Sequence, residues 1–293
     1  MDLESLVLSP EPMKIVMEEL YNIILENKSS FKKMEAKITR FEKIIEEIYM
    51  ELIEEIIPRK IPLEIKRIIG RNTIIMDAMS IREGILLAKE LKEEGYDIKF
   101  DSAITLPPTD TRNFRLQIFG RETLPSNWIR IRSPMEASKL LIEPGIKGIW
   151  CEIPDELLES RSIGFEEIYP KVKKTVAELI VATGWEEITI LSDHGYIPRA
   201  DKYRWPIYNK HARELMKKIF RGDRYVRKQN LTEIFSGAEH RILSLIKDYI
   251  IEIGDFICAR GRYIWPVPGK GSIGEHGGAS LLELIIPIIK VRL

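Results

Sequence analysis

Asp193 and His194 stand side by side where an apolar run, "EITILSDHGYI" over 187–197, stops before Gly195. Two further runs end in acids: "TIIMD" reaches Asp77, and "GIWCEIPD" reaches Asp155 after a short step. Val/Ile-rich runs bounded by polar residues and glycine read as strands buried on both faces, and open parallel sheets gather ligands beyond their strands' carboxyl ends. If the three strands are parallel neighbours, their carboxylates converge on one edge. Unpaired anions so placed repel and raise one another's pKa values unless a cation sits between them. This predicts a metal site. His276, in "GEHGGASL", offers a second glycine-flanked imidazole, whereas His211 and His240 lie in helical, charged surroundings. A carboxylate and imidazole set suits zinc, or manganese and related ions, better than magnesium, which prefers oxygen-only shells.

Phosphoryl displacement between two metals about 4 Å apart would complete such chemistry, given a nucleophile. "LPPTDTRNF" places Thr109 and Thr111 in front of a predicted helix, "RNFRLQIFG". A hydroxyl at a helix N-terminus lies in an anion site and can be activated by a nearby metal. A Thr or Asp there also serves as an N-cap. Ser80, in "MDAMS", is another hydroxyl close to Asp77 with the same alternative role, so Thr111, Thr109 and Ser80 all remain open as nucleophiles.

These residues need a scaffold. Residues 12–57 repeat apolar positions three and four apart among Glu and Lys, with "ENKSS" as a break, which predicts a helical hairpin with one buried stripe and a solvated face. From Thr73 strands and helices alternate: "NTIIMDAM" as strand, "IREGILLAKELKEEG" as helix, "YDIKFDSAITL" as a half-exposed strand, "DTRNFRLQIFG" and "MEASKLLIE" as short helices, "IKGIWCEI" as strand, "FEEIYPKVKKTVAELIVATG" as a long helix and "EITILSD" as strand. That order predicts an α/β fold with a mostly parallel central sheet flanked by helices. Pro287 in "LLELIIPIIKV" predicts an edge strand. The domain boundaries expected are a helical region over 1–70 and a catalytic domain over 71–293, with 199–265 as an inserted lid.

Lys plus Arg and Asp plus Glu both number 45, so the net charge is zero and nucleic-acid binding would need a local patch rather than an overall field. The basic aromatic stretch around Tyr203, Trp205, Tyr208 and Arg213 is one such patch, or a partly buried lid. Cys151 and Cys258 form neither a metal pair nor a disulfide framework and are expected in the core of a cytoplasmic protein. The acidic N-terminus lacks signal-peptide character, and the apolar C-terminal run is too short to span a membrane. "PGKGS" lacks the glycine spacing of a phosphate-binding loop, which leaves Lys270 as a phosphate contact only.

"IIMDAM", "LPPTDTRNFRLQIFGRETLP", "IPDELLE", "ILSDHGYI" and "EHGGASLLELIIP", in that order across 73–289, resemble the alkaline phosphatase superfamily and within it the PglZ domain family. The resemblance implies hydrolysis or transfer of phosphate esters with two metals. Residue by residue, it implies that Asp77, Thr111, Asp193 and His194 hold one metal and that Asp155 and His276 hold the other. "PTDTRN" is similar to a turn of the nucleotide pyrophosphatase branch whose second threonine attacks phosphorus, which singles out Thr111. The superfamily pattern places a histidine four positions after the equivalent of Asp155; here Glu159 stands there, which shifts that site's preference toward harder ions. "CEIPD" lacks the Cys-x-Pro-x-Arg pattern of sulfatases. PglZ proteins are associated with phage exclusion, so the resemblance implies phosphate mono- or diester substrates, nucleotides or nucleic acid among them, and defence-complex proteins as partners. The alternative it leaves is a catalytically weak component of such a complex.

Overall fold

The structure is a computed structural model that describes residues 3–48, 51–58, 62–160, 163–265 and 272–293. Five helices come first: α1 (Leu3–Leu8), α2 (Pro12–Glu26), α3 (Phe31–Ile48), α4 (Leu52–Ile56) and α5 (Leu63–Ile68). Then come β1 (Thr73–Met76), α6 (Ile81–Glu93), β2 (Asp97–Ile104), α7 (Thr111–Phe119), β3 (Trp128–Ile131), α8 (Pro134–Ser138), β4 (Gly148–Cys151), α9 (Ile153–Glu159), α10 (Ile168–Thr183) and β5 (Glu187–Leu191). Shorter elements follow: β6 (Ile197–Pro198), β7 (Trp205–Pro206), α11 (Lys210–Phe220), β8 (Tyr225–Arg227), α12 (Lys228–Phe235), α13 (Glu239–Ile246), β9 (Ile250–Ile253), β10 (Phe256–Ala259), β11 (Tyr263–Ile264), β12 (Gly274–Glu275) and α14 (Leu281–Leu284). The chain's last strand is β13 (Ile285–Arg292).

The central sheet runs β2-β13-β5-β1-β4-β3, and only β13 opposes the common direction. The α/β class with a mostly parallel sheet therefore stands. Strands β1 and β4 read as unbroken apolar runs because both of their faces are covered, one by Ile74, Met76, Ile149 and Cys151 under α6 and α10, the other by Ile75 and Trp150 under α5 and α7. Both cysteines are free and buried, Cys151 in the core under α6 and α10 and Cys258 in a separate core shared with α2 and α3.

One expectation fails on β13. It is not an edge strand: it lies between β2 and β5, and β2 is the edge. Pro287 is tolerated because pairing with β5 begins only at Ile288, opposite Leu191, so Pro287 faces Ser102 of β2 and lies beyond the end of β5. Its ring packs where α6 has Gly84; a Cβ there would meet Pro287 Cβ at 2.2 Å. Strand β3 was not expected at all, because its two arginines, Arg130 within it and Arg132 just after, break the apolar pattern.

The helical hairpin of α2 and α3 also differs from expectation. Rather than a solvated acidic face, α3 buries Glu35, Glu42 and Glu46 beside Met34, Ile38, Phe41 and Ile45. Glu35 pairs with both Arg82 of α6 and Arg262, and Glu42 pairs with Arg262. Glu46 pairs with Arg260 at 2.7 Å. The basic aromatic stretch is likewise partly internal. Ala212, Leu215, Met216, Ile219 and Phe220 of α11 share a small core with Ile246, Ile257 and Trp265, and Tyr203 and Trp205 are buried, which leaves Tyr208 as the exposed aromatic of that stretch. Lys270 lies outside the described residues, and among the described residues no helix is long and apolar enough to cross a membrane.

Candidate active site

Asp77 follows β1 directly, and Asp193 follows β5 after Ser192, so the parallel pairing of these strands sets both carboxylates on one sheet edge. Asp193 is fixed by backbone donors: its Oδ1 accepts from Ala78 N at 3.0 Å and His194 N at 2.9 Å. Ala78 reaches that position with φ of 62°, a left-handed conformation rare for a residue with a Cβ and a form of strain found at functional turns. Ser192 donates to Met76 O at 2.8 Å or to His194 O at 2.6 Å, tying the two strand ends together. Gly195 is required for close approach, since a Cβ there would stand 2.0 Å from Leu282 O.

Helix α7 delivers the hydroxyl. Asp110 is its N-cap, accepting from Arg112 N and Asn113 N, so the capping role falls to Asp110 and leaves Thr111 for other work. Thr111 Oγ1 stands 2.9 Å from Asp77 Oδ1, 2.9 Å from Asp193 Oδ2 and 3.3 Å from His194 Nε2. His194 Nε2 is 3.5 Å from Asp193 Oδ2 and 3.8 Å from Asp77 Oδ1. The other two hydroxyls are engaged. Thr109 Oγ1 accepts from Gly277 N at 2.8 Å and donates to Gly278 O at 3.0 Å, clamping the His276 loop. Ser80 caps α6 in a reciprocal capping box with Glu83.

The second group lies beside the first. His276 stacks on His194 with ring centroids 4.4 Å apart, and its Nε2 is 3.5 Å from Asp155 Oδ1. Asp155 sits in the first turn of α9 rather than at a strand end. Glu159 closes that helix, and Asp155, Glu159 and His276 together line a cleft of about 470 Å³. Ligand atoms of Asp77, Asp193 and His194 fall within 4.8 Å of one another, a compact donor set for a metal ion; Asp155, His276 and Glu159 are not part of that set.

Electrostatics agree with a site for a cation. Burial, then the charges of Asp193 and Asp155, push Asp77 well above the carboxylate range. Burial alone would lower His194, but Asp193, Asp77 and Asp155 outweigh it and raise the imidazole to about 9. Burial and then Asp155 raise Glu159 as well. Because the folded pKa of His194 exceeds its ordinary 6.5, its stabilisation is complete below that value and is lost as pH rises through about 9. Asp77, favoured in its acid form, acts in the same direction. Chelator-treated protein is therefore expected to lose stability from neutral pH toward pH 9, and a divalent ion added at neutral pH to release protons. Denaturant unfolding across that range checks the first, and titration calorimetry in buffers of different ionisation enthalpy checks the second.

Sequence reasoning missed Trp150, whose Nε1 donates to Asp77 Oδ2 at 2.8 Å, and Arg115, whose guanidinium stacks 4.1 Å over the Trp150 ring. The signals were present. Trp150 lies two residues before Glu152 on the strand beside Asp77, and Arg115 lies one helical turn after Thr111.

Residues 155–291, just under half of the chain, match the family model of the BREX system PglZ alkaline phosphatase-like domain. That segment contains Asp155, Glu159, Asp193, His194 and His276, while Asp77 and Thr111 precede it. An alkaline phosphatase-like protein PglZ of Bacillus cereus (strain H3081.97) is 25% identical over 130 residues, 43% of this chain and 14% of that protein. The chain thus spans about one seventh of the curated relative it matches. Among solved structures, phosphonoacetate hydrolase from Sinorhizobium meliloti 1021 is similar at 15% identity over 75% of this chain and 65% of that one, with a TM-score of 0.31. Murine ectonucleotide pyrophosphatase/phosphodiesterase 5 is similar at 14% identity over 54% of this chain and 51% of that one, with a TM-score of 0.30.

Proposed function

We propose that this chain is a divalent-metal-dependent hydrolase of phosphate mono- or diesters, with Thr111 as nucleophile. The observation that carries the reading is the meeting of Thr111 Oγ1 with Asp77, Asp193 and His194 at a helix N-terminus. The donor set fits zinc or manganese, with Asp77, Asp193, His194 and Thr111 around one ion. Asp155 and His276, with Glu159 in reach of the same cleft, would hold a second; Asp155 Oδ1 is buried with no hydrogen-bond partner among the described residues. Such ions would neutralise the charge that builds on the transferring phosphoryl group.

Thr111 Oγ1 forms the new bond to phosphorus as the leaving oxygen departs, and its single proton passes to one of the two carboxylates it already contacts, Asp77 or Asp193. Water then cleaves the phosphothreonine and restores the hydroxyl. In this reading residues 71–293 are the catalytic domain, 1–70 its helical preface and 199–265 a lid. The setting is the reducing cytoplasm and the context phage defence, with nucleotides or nucleic acid and defence-complex proteins as substrates and partners. Glu159, exposed where the superfamily carries histidine, favours a second reading as a catalytically weak defence-complex component.

Metal removal separates the two. Protein stripped by a chelator is expected to lose hydrolysis of bis-p-nitrophenyl phosphate and to regain it with zinc or manganese more than with magnesium. Turnover that survives complete removal of divalent ions would sink the first reading.

A further inference from the structure

Arg115, Arg130 and Arg132 surround a single carboxylate, Glu152, at the same sheet edge as Asp77. Register explains the placement. Met76 pairs with Cys151, and Cys151 with Ile131, and the ladder continues through Asp77 N to Cys151 O and Glu152 N to Ile131 O, both 2.8 Å. Asp77, Glu152 and Arg132 therefore stand in one row across three strands, with Arg132 two strand spacings, roughly 10 Å, from Asp77. By the two-residue period of strands, Arg130, Arg132, Trp150 and Glu152 share the face on which α7 lies.

The cluster carries more positive charge and more donors than its carboxylate can satisfy. Arg130 takes Glu152 Oε1 through Nε at 2.6 Å and Nη2 at 2.5 Å. Arg115 Nη2 stands 3.6 Å and Arg132 Nε 3.7 Å from Glu152, beyond hydrogen-bond reach. Arg115 Nε and Nη2 are buried with no hydrogen-bond partner among the described residues. Glu136 Oε2 accepts from the backbone, Arg132 N at 2.8 Å. Each guanidinium presents five donors in a fork that matches phosphate oxygens, and buried donors left unmade are costly. Arg130 and Arg132 remain 45% and 59% exposed, open to an incoming anion.

We propose that Arg115, Arg130 and Arg132 form a second phosphate subsite, which holds the backbone of a single-stranded nucleic acid while a neighbouring phosphate lies at Thr111. This names a substrate class for the hydrolase reading and rests on it for the place of the reacting phosphorus. Arg115 links the two sites, since its guanidinium lies on Trp150, whose indole N–H holds Asp77.

The test is binding of fluorescein-labelled oligothymidylate, read by anisotropy in the Asp193→Ala protein so that cleavage cannot intervene. Arg130→Gln with Arg132→Gln is expected to lower affinity about tenfold or more near 0.1 M salt and to flatten the log affinity against log salt slope by about 1.4, two phosphate contacts at about 0.7 each for single strands. Lys32→Gln with Lys33→Gln, exposed at the start of α3, should leave the slope unchanged. Should the double arginine variant unfold, Arg132→Glu alone, at an exposed position, is expected to weaken binding in the same direction. Equal slopes for the arginine and lysine variants would overturn the subsite, as would displacement of the oligomer by inorganic tripolyphosphate at matched concentration, which would assign the cluster to compact polyphosphates. No oligothymidylate binding alongside robust bis-p-nitrophenyl phosphate turnover by the unsubstituted chain removes the subsite alone. Arginine-dependent binding with no turnover under any divalent ion removes the hydrolase reading alone.

Discussion

The Asp193→Ala protein is expected to hydrolyse bis-p-nitrophenyl phosphate more than about 100-fold more slowly than the unsubstituted chain, because losing even an outer partner of a metal ligand costs roughly 10–100-fold. Three separate functions rest on this one carboxylate. Its Oδ2 stands 2.9 Å from Thr111 Oγ1, its Oδ1 accepts Ala78 N and His194 N, and its charge contributes to the raised pKa values of Asp77 and His194. Asp193→Asn separates them. It keeps an oxygen for the two backbone donors while removing the charge, so it should preserve the turn and still lose divalent affinity. Stopped assays with a metal titration report both quantities, and full activity in either variant would exclude Asp193 from the site.

The largest stability effect is expected away from the chemistry, at Glu35→Ala. Glu35 is fully buried between Arg82 and Arg262, and both guanidiniums hold their charge because of it and their neighbouring acids. Removing one partner of a buried ion pair leaves an uncompensated charge and typically costs about 3–5 kcal/mol. The strength of Glu35 also appears in its own titration. Burial would raise its pKa, yet the two arginines and their hydrogen bonds bring it below the ordinary carboxylate value. That depressed value makes the contribution of Glu35 present above pH about 4.5 and lost as pH falls through the folded pKa. Denaturant unfolding of the variant at pH 7 measures the loss. A change under about 1 kcal/mol would mean that Arg82 and Arg262 find other partners, since surface-like substitutions stay within about 0.5 kcal/mol.

What the sequence disclosed follows from how burial shapes composition. Strands β1, β4 and β5 are covered on both faces, or nearly so, and announce themselves as apolar runs, so the residue pattern alone places Asp77 and the Asp193–His194 pair at their ends. By residue pattern Thr111, Thr109 and Ser80 stayed open, because a threonine before a helix looks the same whether it caps or reacts, and the resemblance alone singled out Thr111; in the structure Thr109 bonds Gly277 and Gly278, Ser80 bonds Glu83, and Asp110 caps the helix. Strand β3 stayed hidden because arginines at alternate positions imitate a polar loop. The buried acids of α3 were equally illegible, since a glutamate every turn or two of a helix is indistinguishable from solvent-facing charge until its arginine, in one case 227 residues away, is known. The site needed partners across the chain, and pattern alone reports only near neighbours.

Strand β13 occupies the middle of the sheet although it is the last strand of the chain, wedged between β2 and β5. Until it arrives, β2 has no neighbour in that sheet, and the four-stranded remainder β5-β1-β4-β3 shows an unpaired flank. Helix α3 waits in the same way, because Glu35 and Glu42 meet Arg262 and Leu282 only across more than two hundred residues. During synthesis β2 and α3 are therefore held open until Arg262 and β13 emerge from the ribosome. Such late closure makes folding slow and the nascent chain dependent on protection from edge-to-edge association.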